Sequence, residues 1–327
     1  MRFGFVGDLL RSLLDLIYHV VPNYGWAVIL FTLVIRLVLM PLDIKSKRSM
    51  KNMSKLQPQL EALNKKYAKD REKLNQKTQE LYKKEKINPL SGCLPLLIQM
   101  PILFAMFAVM REVANEQTVA MLLGVKDALA AGNVDYRPVF ESFFWIKNVF
   151  QPDSFMSTVV PAAVTDVSHA LQGVGASGAM NADMINAAKT FLATPEYASW
   201  EQSLGATTWY STVLFLNWKL TIPMVFNGWF VLPVLAAVSQ VFASKLMAPS
   251  TAPAQATSAP SQANSTNQMM TYIFPIFSLF ICATSNAAFA LYWVFVNLIQ
   301  LAQQLLVNWI IDRSEAKTGL SEEATKR

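Results

Sequence analysis

Apolar residues in this chain gather into long, nearly uninterrupted segments rather than into the short amphipathic stretches of a water-soluble fold. Crossing the hydrocarbon core of a bilayer takes about 20 mostly apolar residues. Five segments are of about that length: 24–42, 93–110, 228–247, 269–286 and 289–311. The last two belong to one run, 269–311, which would reach roughly 64 Å as a single straight helix at about 1.5 Å per residue. That is twice a bilayer core, so the run must reverse, and the polar cluster Thr284-Ser285-Asn286 is the natural place. The pattern predicts an all-α, polytopic membrane protein with five transmembrane helices.

Between the segments the pattern changes. In residues 1–22, Asp8, Arg11, Ser12, Asp15 and His19 recur at helical spacing opposite Leu9, Leu13, Leu16 and Val20. This is an amphipathic helix suited to lie on a membrane face, with His19 an ordinary member of its polar stripe. Acidic residues interrupt its apolar run and no small-x-small site follows, so it does not read as a signal peptide. Residues 43–90 are polar. There Leu56, Leu60, Leu63 and Tyr67 form one narrow apolar seam, and Leu74, Leu81 and the Lys77 stem a second. The charged break Lys69-Asp70-Arg71 separates the two, which predicts a helical hairpin. Residues 111–227 form a long loop containing an insertion at 154–227, whose Trp200, Trp209, Tyr210 and Trp218 suit the headgroup zone. That insertion reads either as a membrane-resting cap or as a docking surface, with His169 an ordinary surface residue. Residues 248–268 are an uncharged Pro/Ala/Ser/Gln linker, and 312–327 a short tail with four bases and four acids.

Composition sharpens the class and charge gives it a direction. Of 327 residues, 53% are hydrophobic and 15% charged, against about 25% charged in a soluble domain; mean hydropathy is +0.29. A large soluble enzyme is thereby disfavoured. The net charge of +6 is unevenly spread: residues 43–88 carry +8, and the remainder sums to −2. The basic island places 43–90 in the cytoplasm, while 112–227, with five basic and ten acidic residues, suits the outer side. Parity then puts the N-terminus outside and the C-terminus inside, with Lys245 at the inner end of the third span.

Candidate chemistry is sparse. Cys93 and Cys282 sit in apolar stretches without metal-ligand spacing. No GxSxG, HExxH or GxxxxGK[ST] motif occurs, so no catalytic residue, metal site or cofactor is expected. No internal repeat is visible, which gives no support to an inverted-repeat transporter. An ionisable residue inside a span is the exception that asks for a function, and Arg36 is the one clear case. It lies about 9 Å from the inner end of the first span at 1.5 Å per residue. Its side chain either snorkels to headgroups or lines a wet cavity. Its own span offers no carboxylate and none lies within the other four, so an unpaired guanidinium in a water-accessible cavity is the sharper reading. Trp293, Asn297, Gln300 and Gln304 share one face of the fifth span, and Gln99, Ser239 and Gln240 add neutral polar groups. These either bond helix to helix or line a solvated cleft. The basic island is either a solvated linker held by anionic lipid or a surface for ribosomes, nascent chains or a receptor.

The stretch GWAVILFTLVIRLVLMPL, followed by KSKRSMKNMSKLQPQLEALNKKY and ELYKKEKINPLSGCLPLLIQMPILFAMF, closely resembles the YidC/Oxa/Alb family of membrane protein insertases. ESFFWIKNVFQPD, LPVLAAVSQVFASKLM and ALYWVFVNLIQLAQQ extend the resemblance, which omits 111–140, 154–227 and the ends. With only an amphipathic helix before the first span, the chain looks like the bacterial form without a large outer domain. The resemblance implies a five-span core around a hydrophilic groove and a cytoplasmic hairpin that captures substrates. Onto the groove it carries Arg36 and Trp293; with them Gln99, Gln240, Asn297, Gln300 and Gln304 complete the expected lining. Onto the hairpin it carries the basic residues Lys45, Lys47, Arg48, Lys51, Lys55, Lys65, Lys66, Lys83 and Lys84. The chain departs from the family in having Ala243 where a glutamine is frequent, with Gln240 one turn earlier. It also has Asn286-Ala287-Ala288-Phe289 in place of PAGL, and Arg71 where proline is common.

The expected function is insertion and folding of membrane proteins in the bacterial plasma membrane, without enzymatic chemistry or a small-molecule cofactor. Expected partners are nascent membrane proteins, anionic lipid, and the Sec translocon, ribosome or a targeting receptor at the cytoplasmic face. Two other readings stay open: a small-solute transporter or channel, and a scaffold that assembles helices without inserting them.

Overall fold

The computed structural model describes residues 4–85, 94–160, 182–204, 208–213, 218–223, 225–247 and 272–325. Ten α-helices account for most of them. They are α1 (Gly4–Val20), α2 (Tyr24–Lys55), α3 (Gln57–Lys66), α4 (Arg71–Lys84), α5 (Leu94–Ala130), α6 (Ala182–Leu192), α7 (Pro195–Ser203), α8 (Val231–Met247), α9 (Phe274–Thr284) and α10 (Ala287–Thr325). A two-stranded antiparallel hairpin, β1 (Thr208–Val213) and β2 (Trp218–Pro223), pairs Thr208 with Pro223 and Val213 with Trp218. The chain is helical as expected, and this hairpin within the insertion is the addition that helix-period reasoning did not place.

Most of the described part of every apolar segment lies in a helix, residues 228–230 and 285–286 being the exceptions, and several helices outrun their segments. α2 continues past residue 42 to Lys55, so the first stretch of the basic island prolongs the first apolar helix. Its end is set by Pro58, which has no N–H to donate and whose ring would clash with the carbonyl four residues back. The chain restarts as α3, with Pro58 in the first turn, where its missing donor costs nothing. α5 runs on to Ala130 and α10 to Thr325, so 111–130 and most of 312–327 are helical rather than loop and tail. Two helices, Tyr24–Lys55 and Ala287–Ile311 within α10, are long and apolar enough among the described residues to cross a membrane. The 248–268 linker, His169 and Cys93 lie outside the described residues.

Two compact units can be distinguished. The first comprises Met1–Thr32, Ile102–Ala237 and Ser278–Phe295. In it α1 buries Leu10 and Leu14 and leaves Phe5, Leu9, Leu16 and Val20 exposed. The polar stripe of α1 is not simply solvated. Arg11 donates from Nε to both Asp15 oxygens, and from Nη1 and Nη2 to Glu116 at 3.3 and 2.7 Å. Partial burial works against this charge, but the bonds to Glu116 and Asp15 outweigh it and raise its proton affinity.

The insertion has a core of its own. Val119, Leu122 and Val125 from the prolonged α5 pack with Ile185, Phe191, Tyr197 and Trp200. Trp200, expected at the headgroup level, is 3% exposed and donates its indole N–H to the Tyr136 carbonyl at 2.9 Å. The described helices of the insertion, α6 and α7, thus share a packed core with α5. The indole found an internal acceptor, which removes its reason to sit in an interface.

A polar knot in the same unit ties down the starts of two apolar helices. Asn227 Nδ2 donates to the carbonyls of Asn148, Gln151 and Pro152, and its Oδ1 accepts from the Asn148 N–H at 2.8 Å. Buried Asp153 accepts the Trp145 indole N–H and, at 2.7 Å, the Leu232 N–H in the first turn of α8. A carboxylate suits that position, since it meets both an unpartnered amide and the positive end of the helix dipole. The first amides of α10 reach the same loop, Ala287 donating to Gln151 and Ala288 to Val149, each at 2.9 Å. Asn286 Oδ1 caps Phe289 and its Nδ2 donates to the Met110 carbonyl. The break between α9 and α10 therefore falls within the expected polar cluster, and its asparagine is a working cap.

The second unit comprises Leu33–Pro101, Val238–Phe277 and Val296–Arg327. Here α3 and α4 flank a break at 67–70. Asp70 caps α4 by accepting the Lys73 N–H at 3.0 Å. Of the two seams, Leu56 and Leu60 are buried, while Leu63, Tyr67, Leu74 and Leu81 are half-buried.

Candidate functional site

Arg36 sits on α2 with 5% of its surface exposed. A buried guanidinium needs acceptors, because removing it from water without them costs several kcal/mol. Gln300 on α10 supplies one, its Oε1 accepting from Arg36 Nη2 at 2.9 Å. The unpaired guanidinium expected from sequence is therefore corrected: its acceptor is an amide. Being neutral, that amide satisfies the donor without cancelling the charge.

A carboxylate stands nearby. Asp43 lies seven residues beyond Arg36, two helical turns along the same face of α2; partial burial raises the proton affinity of its carboxyl, and the charges of Arg36 and Lys47 oppose that rise. Gln303, one turn beyond Gln300 on α10, donates from Nε2 to Asp43 Oδ2 at 2.7 Å. Two glutamines on one helix thus engage an arginine and an aspartate on the other. Asn297, one turn before Gln300, is 5% exposed and donates from Nδ2 to Ser239 Oγ of α8 at 3.1 Å.

The expected residues divide as follows. Arg36, Asn297 and Gln300 come together with Ser239, Asp43 and Gln303 in the second unit. Gln99, Gln240 and Gln304 belong to that unit too and are half-buried. Trp293 belongs to the first unit, where it is 5% exposed and meets Phe289 edge-on at 5.7 Å. Asp43 and Gln303 were passed over in the sequence. Asp43 lies one residue beyond the apolar run, and Gln303 is adjacent to the residue that the stripe singled out. The i, i+7 spacing of Arg36 and Asp43 was the available signal.

The basic residues occupy three places. Lys45, Lys47, Arg48, Lys51 and Lys55 lie on the prolonged α2, not on the two-helix hairpin. Lys65 and Lys66 end α3 and Lys83 and Lys84 end α4, where cations favour the helix dipole. All of these except Lys47 and Lys51 are exposed. Among the described residues no group of three His, Cys, Asp or Glu side chains could share a metal ion.

A family model described as "60Kd inner membrane protein" matches residues 16–314. A protein of Fusobacterium nucleatum named "Membrane protein insertase YidC" is 47% identical over 110 residues, covering 34% of this chain and 54% of that protein. Proteins of the same name from Clostridium perfringens and Treponema denticola are 37% and 29% identical over 191 and 308 residues. The first alignment covers 56% of this chain and 68% of the relative, the second 93% and 38%. The chain spans about half the length of the Fusobacterium relative.

Proposed function

The chain belongs to the 60Kd inner membrane protein family, and from that premise we propose that it is a membrane protein insertase and folding chaperone. The observation that carries this reading is the buried Arg36, satisfied by neutral Gln300 and set among apolar helices. Moving a polar tail across lipid means burying its charges in hydrocarbon, at several kcal/mol each. A groove that brings polar groups and a positive charge partway into the bilayer shortens that passage. Arg36 attracts an acidic or polar tail, while the adjoining apolar segment partitions sideways into lipid. A membrane potential positive outside adds roughly 2.3 kcal/mol per negative charge per 100 mV in the export direction.

Five spans, N-terminus outside and C-terminus in the cytoplasm of a bacterium, complete the proposal. It is supported by five apolar segments and by a basic island of +8 between the first two. Gln99, Gln240, Asn297 and Gln304 serve as groove lining, and the basic residues of α2, α3 and α4 meet the incoming chain, anionic lipid, or a ribosome, receptor or Sec partner. The names of the relatives support an insertase over a solute transporter or a passive scaffold. A photo-crosslinking side chain at position 99 tests the groove. Capture of ribosome-bound chains as their apolar segment emerges is expected; insertion without such capture at any chain length overturns the assignment.

A further inference from the structure

We propose that Asp43 is an internal stand-in for an acidic substrate, a specificity-determining residue that competes with incoming carboxylates for the field of Arg36. The inference rests on the insertase reading above and deepens it. Three observations carry it. Asp43 lies two turns from Arg36 on one face of α2 and is acted on electrostatically by Arg36 and Lys47. It is half-buried and held by Gln303 Nε2 at 2.7 Å. Arg36, in turn, bonds Gln300, one turn before Gln303 on α10. The glutamine pair thus holds a cation and an anion near each other with a neutral amide bonded to each.

This arrangement has a functional consequence. A carboxylate within reach of a buried guanidinium lowers the positive potential that a visiting anion experiences. Tails with several acidic groups, or with one placed closely enough, out-compete Asp43; neutral tails feel almost nothing from either. Asp43 therefore sets a threshold for how acidic a segment must be to dwell in the site. It also reduces the cost of the buried Arg36 when no substrate is present. Gln303 keeps the aspartate in place by a charge-assisted bond that leaves its negative charge intact.

The test uses the full-length protein in nanodiscs and two fluorescent peptides sharing one apolar stretch, one with an Asp-containing tail and one with Asn in its place. Asp43→Asn and Asp43→Ser, two neutral replacements of different size, are each expected to tighten binding of the acidic peptide on the order of tenfold, the effect of one unit charge at such range. The Asn-tailed peptide is expected to bind unchanged, and Asp43→Glu to behave as wild type. In an Arg36→Gln background the gain should vanish, which a merely structural role would not produce. Equal changes for both peptides, no change for either, or the same gain without Arg36 would overturn the assignment. Vesicle insertion by the wild-type protein is measured in parallel. Insertion with charge-blind binding removes the role of Asp43 and leaves the insertase reading standing, whereas charge-dependent binding without insertion does the reverse.

Discussion

Arg36 and Gln300 meet across α2 and α10, the guanidinium Nη2 donating to the amide Oε1 at 2.9 Å. The chemistry of this pair matters more than its length. A carboxylate at position 300 would add a countercharge to Arg36, whereas an amide accepts its hydrogen bond and adds none. A hydrogen bond to a charged group contributes about 1.5–3 kcal/mol, enough to hold the side chain without fixing what else it attracts.

Charge at position 36 is therefore the first thing to vary. Arg36→Ala should lower insertion of a substrate with a short acidic tail by at least about tenfold, while Arg36→Lys, which keeps a point charge on a flexible stem, retains a substantial part. Initial insertion rates in energised vesicles measure this. Equal activity of all three proteins would remove Arg36 from the mechanism.

Position 300 separates holding Arg36 from giving it a further countercharge. Gln300→Glu should preserve or raise thermal stability while reducing insertion of acidic tails to a degree approaching Arg36→Ala. Gln300→Leu removes an acceptor from a buried donor and should cost about 1–3 kcal/mol of stability. Thermal melts in detergent read the second effect and vesicle assays the first. Parallel losses in both assays for Gln300→Glu would contradict the distinction.

The knot around Asn227 and Asp153 makes a purely structural prediction. A Cβ at Gly228 would collide with Asp153 Oδ1 and lie 3.2 Å from its Cα, so relief requires moving the carboxylate that caps α8. Gly228→Ala should cost about 3 kcal/mol, the upper range for overpacking. Asn227→Ala leaves several backbone groups without their partner and should cost about 1–3 kcal/mol. Hydrogen exchange at the first turns of α8 and α10 should rise in both variants.

Asp70 predicts a pH dependence confined to α4. Its carboxyl is held below the ordinary range, chiefly by the backbone N–H of Lys73; desolvation opposes this, and the Lys73 side chain adds to the lowering. A depressed folded value means that the cap contributes fully above the ordinary carboxylate pKa of about 4 and is lost as pH falls through the lower folded value. Amide exchange at Lys73, corrected for the intrinsic rate, should show protection falling on acidification. Asp70→Asn, itself a good cap, should remove the pH dependence and keep the protection.

Much of the fold could be read from the chain, and the unread parts have identifiable causes. Apolar runs announce helices, so the greater part of each of the five segments lies in a helix. The same criterion stops at the first polar residue. It therefore ends the first helix at residue 42, short of Lys55, and leaves Asp43 just outside the apolar run that holds Arg36. α5 was cut at residue 110 for the same reason, although Val119, Leu122 and Val125 carry an apolar face onward. Trp200 was misplaced because aromatic composition cannot tell a headgroup belt from a small core whose other half, around Ile185 and Phe191, lies in the same insertion. Arg36 and Asn297 were legible as polar residues in apolar surroundings. Their partners Gln300 and Ser239 were named, but nothing local shows which helix faces which.

Purified protein in liposomes, supplied with a single-span substrate bearing a short acidic tail and with an imposed potential positive on the side to be reached, tests the central claim most directly. Protease protection of the translocated tail, increasing with the potential and lost with Arg36→Ala, is the result predicted. Absence of protection above protein-free vesicles, from preparations whose helical content and stability match the native protein, would contradict the claim that this chain inserts membrane proteins by itself.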